Sequence, residues 1–336
     1  MEHLTARTVG FKPGERNVFF HILTACNLSC RHCYINIDQH GKEMVSREVM
    51  DQWLQLFVSP DKETNLIFLG GEPTLHPDLA YGIRTARRLG YRSVTVDTNG
   101  FLFHDFLDRI TPEELDFLSF SLDGPNPAVN DPIRGQGVFD ICTTNLRRAV
   151  ARGFNVSLIY TVSRFNVDHL IEMAPLLAEL GVQRFFIQVI GIRGKTAQQK
   201  GDDWQLTPAE WLAKVPAAAR AVAERGIHVT YPKVFLASDE EFQCAGRVAE
   251  NYFVFPNGRV YLCPLVEDYA VNTFRVEDGR LIENSGLTEK RLFGLDIPEG
   301  CVMHKLLQPD NLEYTAAGQP CHRISCCLLK QEMKRP

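Results

Sequence analysis

The chain has 336 residues, 45% of them hydrophobic and 23% charged, which suits one large globular domain with room for a small second one. Its 36 basic and 41 acidic residues give a net charge of -5, which excludes the basic surface that nucleic acid or an anionic membrane would demand. No apolar run approaches the roughly 18 residues of a membrane span, and Met1-Glu2-His3 does not open a signal peptide, so a cytoplasmic protein is expected.

Residues 18–231 read as strands alternating with helices. Short runs rich in apolar, β-branched and aromatic residues predict strands at Val18–Leu23, Asn65–Gly70, Ser93–Thr98, Asp116–Leu122, Asn155–Val162 and Arg184–Ile190. Helical periodicity falls between and after them, at Ser46–Val58, Asp78–Leu89, Val138–Arg152, Asn166–Leu180 and Thr207–Arg225. Thr111-Pro112-Glu113-Glu114 and Thr207-Pro208-Ala209-Glu210 read as capping boxes. Gly90, Gly153, Gly181 and Gly226 sit just past helix ends. Six β/α units imply a parallel sheet, doubly wound or curved into a partial barrel. A doubly wound sheet concentrates its site at one switch point. Here Cys26–Cys33, Gly70–Pro73, Thr98–Gly100 and Ser121–Gly124 follow four consecutive strands, which favours an α/β partial (β/α)6 barrel of TIM type. Farther on, Tyr252–Phe255 and Val260–Leu262 flank Asn257-Gly258 and read as a hairpin. The expected division is an N-terminal extension over 1–17, a barrel over 18–235 and a small cysteine-rich domain over 236–336.

Of the ten cysteines, three fall within residues 26–33 and six within 244–327. A chain this long with a sizeable core is not a secreted disulfide scaffold, so clustered thiols point to metal or cluster ligands. Cys142 stands alone in a helical pattern and reads as a small buried hydrophobe. Cys26, Cys30 and Cys33 form CX3CX2C. A cubane iron–sulfur cluster takes four thiolates, so three leave one iron open to chelation by an amino nitrogen and a carboxylate oxygen. The alternative is a zinc site of the three cysteines with His32 or His40. In Gly70-Gly71-Glu72-Pro73 the glycines would let backbone approach a ligand closely, or simply make a turn. Ser121 could hydrogen-bond a ribose hydroxyl, and Asp123 could do so or cap the following turn. Cys244 and Cys263 flank the predicted hairpin and can face one metal. Cys301, Cys321, Cys326 and Cys327 follow, and a structural zinc site is the alternative there too. Six cysteines cannot fill two all-cysteine cubanes, which need eight thiolates between them, about four each.

Cys26-Asn-Leu-Ser-Cys30-Arg-His-Cys33-Tyr34, just after the first predicted strand, resembles the signature of the radical S-adenosylmethionine (SAM) superfamily. The resemblance implies that Cys26, Cys30 and Cys33 hold a 4Fe–4S cluster whose reduction cleaves SAM to methionine and a 5′-deoxyadenosyl radical. Gly70, Gly71, Glu72 and Pro73 resemble the family's segment for the SAM amino group, and Thr98-Asn99-Gly100 also resembles the family, though asparagine-glycine is a common turn. Asn130-Asp131-Pro132-Ile133-Arg134-Gly135 resembles one in which the arginine lies near the SAM carboxylate; relatives often carry histidine where Asn130 stands. Gln188 would face adenine or substrate. The CX13GX4C pattern ending at Cys263 resembles the SPASM and twitch extensions of these enzymes. A full SPASM region continues CX2CX5CX3C, whereas this chain has CX4CC from Cys321. That implies one auxiliary 4Fe–4S cluster on Cys244, Cys263, Cys321 and one of Cys326 or Cys327, with Cys301 spare or in an incomplete second site. The implied activity is hydrogen abstraction that oxidises or cross-links a peptide or protein side chain; a small metabolite is the alternative substrate. A flavodoxin- or ferredoxin-type electron donor is implied, with no nucleic-acid or membrane partner. An iron–sulfur electron carrier or zinc-binding protein is the reading of another class.

Overall fold

A computed structural model describes residues 4–199, 203–237 and 239–334. Its strands, in chain order, are β1 Arg7–Val9, β2 Glu15–His21, β3 Glu63–Leu69, β4 Ser93–Thr98, β5 Phe117–Ser121, β6 Val156–Val162, β7 Arg184–Val189, β8 His228–Pro232, β9 Phe235–Leu236, β10 Glu250–Val254, β11 Arg259–Tyr261, β12 Phe274–Glu277, β13 Arg280–Glu283, β14 Arg323–Ile324 and β15 Lys330–Met333. All but β9 and β14 lie in one open sheet of order β1-β15-β8-β7-β6-β5-β4-β3-β2-β10-β11-β12-β13. The six predicted strands are β2 to β7, each parallel to the next, as a partial barrel requires. The sheet extends past them at both ends: β8 joins β7 in parallel, and β10 joins β2 in parallel. The predicted hairpin is β10 and β11, and it is built onto the barrel's own sheet.

The strands form because apolar residues alternate, so one face can be buried. Val18, Phe20, Leu66, Phe68, Val94, Val96, Leu118 and Phe120 are at most 1% exposed. The helices cover that face. Arg47–Phe57 turns Met50, Trp53, Leu54 and Phe57 inward, and the Ser46 side chain caps its start by accepting from Val49 N. The Thr207 capping box is present, with Thr207 and Glu210 bonding reciprocally. The four expected helix-end glycines all take positive φ, from 72° at Gly181 to 85° at Gly90, Gly153 and Gly226. The helix expected over 166–180 is instead a 3-10 turn, Val167–Glu172, running into an α-helix, Met173–Glu179. Pro175 has no N–H to bond Ile171, so the α ladder cannot run unbroken from Asn166.

A second apolar cluster unites the C-terminal residues: Phe253, Phe255, Tyr261, Val266, Phe293, Val302, Met303, Leu312 and Ile324 pack with Cys301. The chain then returns to the barrel, where β15 pairs with both β8 and β1. Among the described residues, no helix is long and apolar enough to cross a membrane.

Candidate active site

Parallel strands deliver their following loops to one end of the sheet, and the loops after β2, β3, β4 and β5 meet there. Leu23–Ala25 leads from β2 to Cys26, and Gly70-Gly71 run directly against it. Gly71 N donates to Leu23 O at 3.0 Å and Glu72 N to Ala25 O at 2.9 Å. A Cβ on Gly70 would lie 2.5 Å from Leu23 O, and one on Gly71 would lie 2.3 Å from Ala25 O. The space the glycines leave is therefore filled by the backbone that carries Cys26.

Glu72 is buried and its carboxylate is fully engaged within the protein. It accepts from Thr74 N at 3.1 Å, Thr74 Oγ1 at 2.6 Å, Thr98 Oγ1 at 2.7 Å and Asn99 N at 2.7 Å. Burial pushes this carboxyl up, and the donors, Thr74 first, pull it back. Its work is to fix the turn after β4. Asn99 in that turn donates Nδ2 to Asn27 Oδ1 at 2.8 Å and lies 3.6 Å from Cys26 Sγ. Pro73 opens the short 3-10 turn Pro73–Leu75.

Asp123, just past β5, is fully buried and is the hub of the next loop. It accepts from Thr161 N at 2.8 Å, and its Oδ2 pairs with His32 Nε2 at 2.9 Å and Arg134 Nε at 2.7 Å. Burial alone would raise its pKa, but Arg134 and then His32 more than reverse this and hold it at about 2. Asn130 accepts from Asp123 N at 2.9 Å, and Asp131 accepts from Gly137 N and Phe139 N at the start of helix Val138–Ala151. Asn130 thus has a structural task in the place where relatives often carry histidine. Asp123 joins the cysteine loop, through His32, to the β5 loop, through Arg134. Both of its oxygens have protein partners, so it positions His32, Arg134 and the end of β6 toward one another.

Cys26 is exposed, and Cys30 and Cys33 are partly buried. Leu28 N donates to Cys26 Sγ at 3.4 Å, and Cys30 Sγ lies 3.7 Å from Arg134 O. Burial raises the Cys30 thiol, and Arg134 pulls it back. Loading a metal here must therefore displace protons from sulfur. N–H donors on one sulfur and a cation beside another suit iron-bound thiolates. The zinc alternatives lack their histidines: His32 is held by Asp123, while His40 accepts from Asn36 N at 3.0 Å and reaches Glu267 O at 3.0 Å. No three His, Cys, Asp or Glu among the described residues are gathered as a single ion would need. A cubane spreads its thiolates over separate irons and asks for a wider set.

Ser121 ends β5, and Gln188 is exposed near the end of β7. Two residues of this region escaped the sequence reading. His32 was visible only as a zinc candidate, though its ring is the bridge to Asp123. Asp97 lies on the face of β4 opposite Val94 and Val96; burial raises it to about 7 against a Ser119 hydrogen bond, with Glu72 adding to the rise. An acid inside an otherwise apolar and hydroxylated strand, Ser93–Thr98, was its signal.

Cys142 is fully buried in the main core, as expected of a small hydrophobe. In the C-terminal part, Cys244, Cys263, Cys301, Cys326 and Cys327 form one group. Cys326 raises the thiols of Cys244 and Cys327, and Cys263 is raised by burial first and then by Cys301 and Cys326. Ala245 N donates to Cys326 Sγ at 3.5 Å. Cys321 stands apart, exposed on the loop whose Tyr314 and Pro320 are bridged, its N–H on Glu313 O at 2.8 Å. Cys301, expected to be spare or in an incomplete second site, is thus buried with this group, while Cys321, expected among the ligands, lies on the exposed loop.

Residues 21–177 match the Radical SAM superfamily. Pre-heme d1 synthase of Dinoroseobacter shibae is 30% identical over 193 residues, 55% of this chain and 46% of the relative. The probable GTP 3',8-cyclase of Saccharolobus solfataricus is 30% identical over 273 residues, 77% of this chain and 86% of the relative. Against other curated relatives the matched part spans 58% of their length. Native anSMEcpe with bound AdoMet and the Kp18Cys peptide superposes with a TM-score of 0.64 at 14% identity, over 88% of both chains; at that identity the fold is what is shared. The superfamily's cofactors are a 4Fe–4S cluster and SAM. With this match, and a relative 30% identical across 86% of its length, the chain belongs to the radical SAM superfamily of enzymes.

Proposed function

We propose that Cys26, Cys30 and Cys33 hold the catalytic 4Fe–4S cluster, and that the chain abstracts hydrogen from a peptide or protein side chain that is then oxidised or cross-linked. The observation that carries this is the convergence of the loops after β3, β4 and β5 on the cysteine loop after β2: Asn99 3.6 Å from Cys26 Sγ, and Arg134 and His32 tied together through Asp123. When bound, the cluster and SAM supply the hydrogen-abstracting 5′-deoxyadenosyl radical. The chain's own residues hold and orient. Leu28 N and Asn99 Nδ2 support the Cys26 thiolate, and the Arg134 cation supports Cys30. Gly70–Pro73 would offer backbone carbonyls to the SAM ammonium, Arg134 would serve the SAM carboxylate, Ser121 the ribose, and Gln188 adenine or substrate. Residues 236–336 form a domain for one auxiliary 4Fe–4S cluster, with Cys301 and three of Cys244, Cys263, Cys326 and Cys327 as ligands. A flavodoxin- or ferredoxin-type protein supplies the electron.

The peptide reading is supported by likeness over 88% of both chains to a structure holding AdoMet and a peptide. A small-metabolite substrate is the second reading, favoured by the names of the sequence relatives, a GTP 3',8-cyclase and a pre-heme d1 synthase. The anaerobically reconstituted protein should hold about eight irons and release 5′-deoxyadenosine with dithionite. Four irons would remove the auxiliary cluster, and zinc in place of C-terminal iron would restore the zinc site. Deuterium carried into 5′-deoxyadenosine from the peptide fraction of deuterium-grown cells supports the first substrate reading. Transfer from the metabolite fraction alone supports the second.

A further inference from the structure

We propose that Arg193 is a positioning residue that joins the two cysteine sites, fixing their separation and raising the reduction potential of the C-terminal cluster. The inference rests on reading both sites as iron–sulfur centres. Arg193 lies in the segment after β7, between the residue that follows Cys33 and the residue that follows Cys263. Its Nη1 donates to Pro264 O at 2.5 Å and also pairs with the Glu267 carboxylate. Its guanidinium carbon sits 4.6 Å over the Tyr34 ring, and the Tyr34 hydroxyl is in turn 2.7 Å from His21 Nε2.

The next two residues repeat the bridge. Gly194 N donates to Asp268 Oδ2 at 2.5 Å, and Lys195 N donates to Cys33 O at 2.9 Å. Gly194 has φ of 56°, and a Cβ there would lie 2.5 Å from Cys33 O and 2.7 Å from Tyr34 Cα. Residues 193–195 are therefore pinned to Cys33–Tyr34 on one side and Pro264–Asp268 on the other. Only a planar guanidinium can serve a carbonyl, a carboxylate and an aromatic face together; an ammonium supplies the charge without that geometry. The cation is set back from water, with side-chain exposures of 24% for Arg193 and 2% for Glu267. A partly buried cation favours the reduced, more negative state of a neighbouring cluster.

The test uses the full chain, reconstituted anaerobically at pH 8, with Arg193→Gln, Arg193→Lys and Glu267→Gln. Burial raises Glu267 to about 7 against the pull of Arg193, so it is ionised at this pH. EPR-monitored redox titration is read beside iron content and melting temperature. Arg193→Gln should keep both clusters while the reduced-to-oxidised ratio of the C-terminal one, at the wild-type midpoint, falls on the order of tenfold. Arg193→Lys should recover most of that ratio while its melting temperature stays low. Glu267→Gln, which removes the opposing charge, should move the ratio upward, and it decides the matter if Arg193→Gln fails to load iron. A wild-type protein with no second cluster would sink the underlying reading of the C-terminal site. Two clusters, with midpoints unmoved in Arg193→Gln and Glu267→Gln and only the melting temperature lowered, would overturn the role given to Arg193.

Discussion

Gly71→Ala tests what the double glycine after β3 is for. The new methyl would sit 2.3 Å from Ala25 O and 2.4 Å from Thr24 O, both backbone atoms that cannot swing aside. The 23–25 segment must move, and the bonds Gly71 N to Leu23 O and Glu72 N to Ala25 O stretch with it. Overpacking of this kind costs about 1–3 kcal/mol. Weakening two backbone bonds adds about 0.5–1.5 kcal/mol each. A loss of about 2–6 kcal/mol is expected, a large part of a stability of about 5–15 kcal/mol. Urea unfolding of the iron-free protein, followed by circular dichroism, measures it, and iron uptake should fall because Cys26 is displaced. Gly14→Ala is the control: a Cβ there meets nothing within 4 Å, and the change should be neutral or mildly stabilising. If Gly71→Ala keeps the wild-type urea midpoint and iron content and loses only SAM affinity, the glycines serve the ligand and the steric reasoning fails.

Asp123→Asn leaves Arg134 buried without its counter-charge and should cost about 3–5 kcal/mol, part of which a further Arg134→Met recovers. The Asp123 carboxyl is held at about 2, below its unfolded value of about 3.9, so its stabilisation is present above pH 4 and lost as pH falls toward 2. Unfolding measured between pH 6 and 2 should therefore steepen in the wild type and flatten in Asp123→Asn. Asp97 has the opposite sign: burial lifts its folded value to about 7, so its contribution declines as pH rises from about 4 to 7. Asp97→Asn should stabilise the protein by roughly 2–3 kcal/mol more at pH 8 than at pH 5, and an equal effect at both would refute that environment. Cys301→Ala should lose about four irons while Cys321→Ala keeps them; the reverse result returns Cys321 to the ligand set.

The barrel strands were legible because each is a short apolar or β-branched run whose alternate residues reach the core, as Val18 and Phe20 do. The capping box at Thr207 and the helix-end glycines were legible because their chemistry is local. Long-range pairings were not. Nothing in Glu250–Val254 announces that it joins β2 in parallel. The cysteine pattern placed the C-terminal thiols in one region but did not say which of them pack together, which depends on which loop folds inward. Gly300 is bridged to Ile324, and Cys301 N donates to Ile324 O at 3.1 Å, which draws Cys301 toward Cys326. Cys321 ends an exposed loop. The acidic residues of the strand-end loops were found, but Glu72 and Asp123 bond protein partners that lie far away in sequence.

Cys26, Cys30 and Cys33 are proposed to make the centre that cleaves SAM. The most direct measurement is 5′-deoxyadenosine release with dithionite by the triple alanine variant, beside its iron content. The predicted result is no release with about four irons retained, because the C-terminal thiols form a separate set. Continued SAM cleavage by the variant would contradict the account.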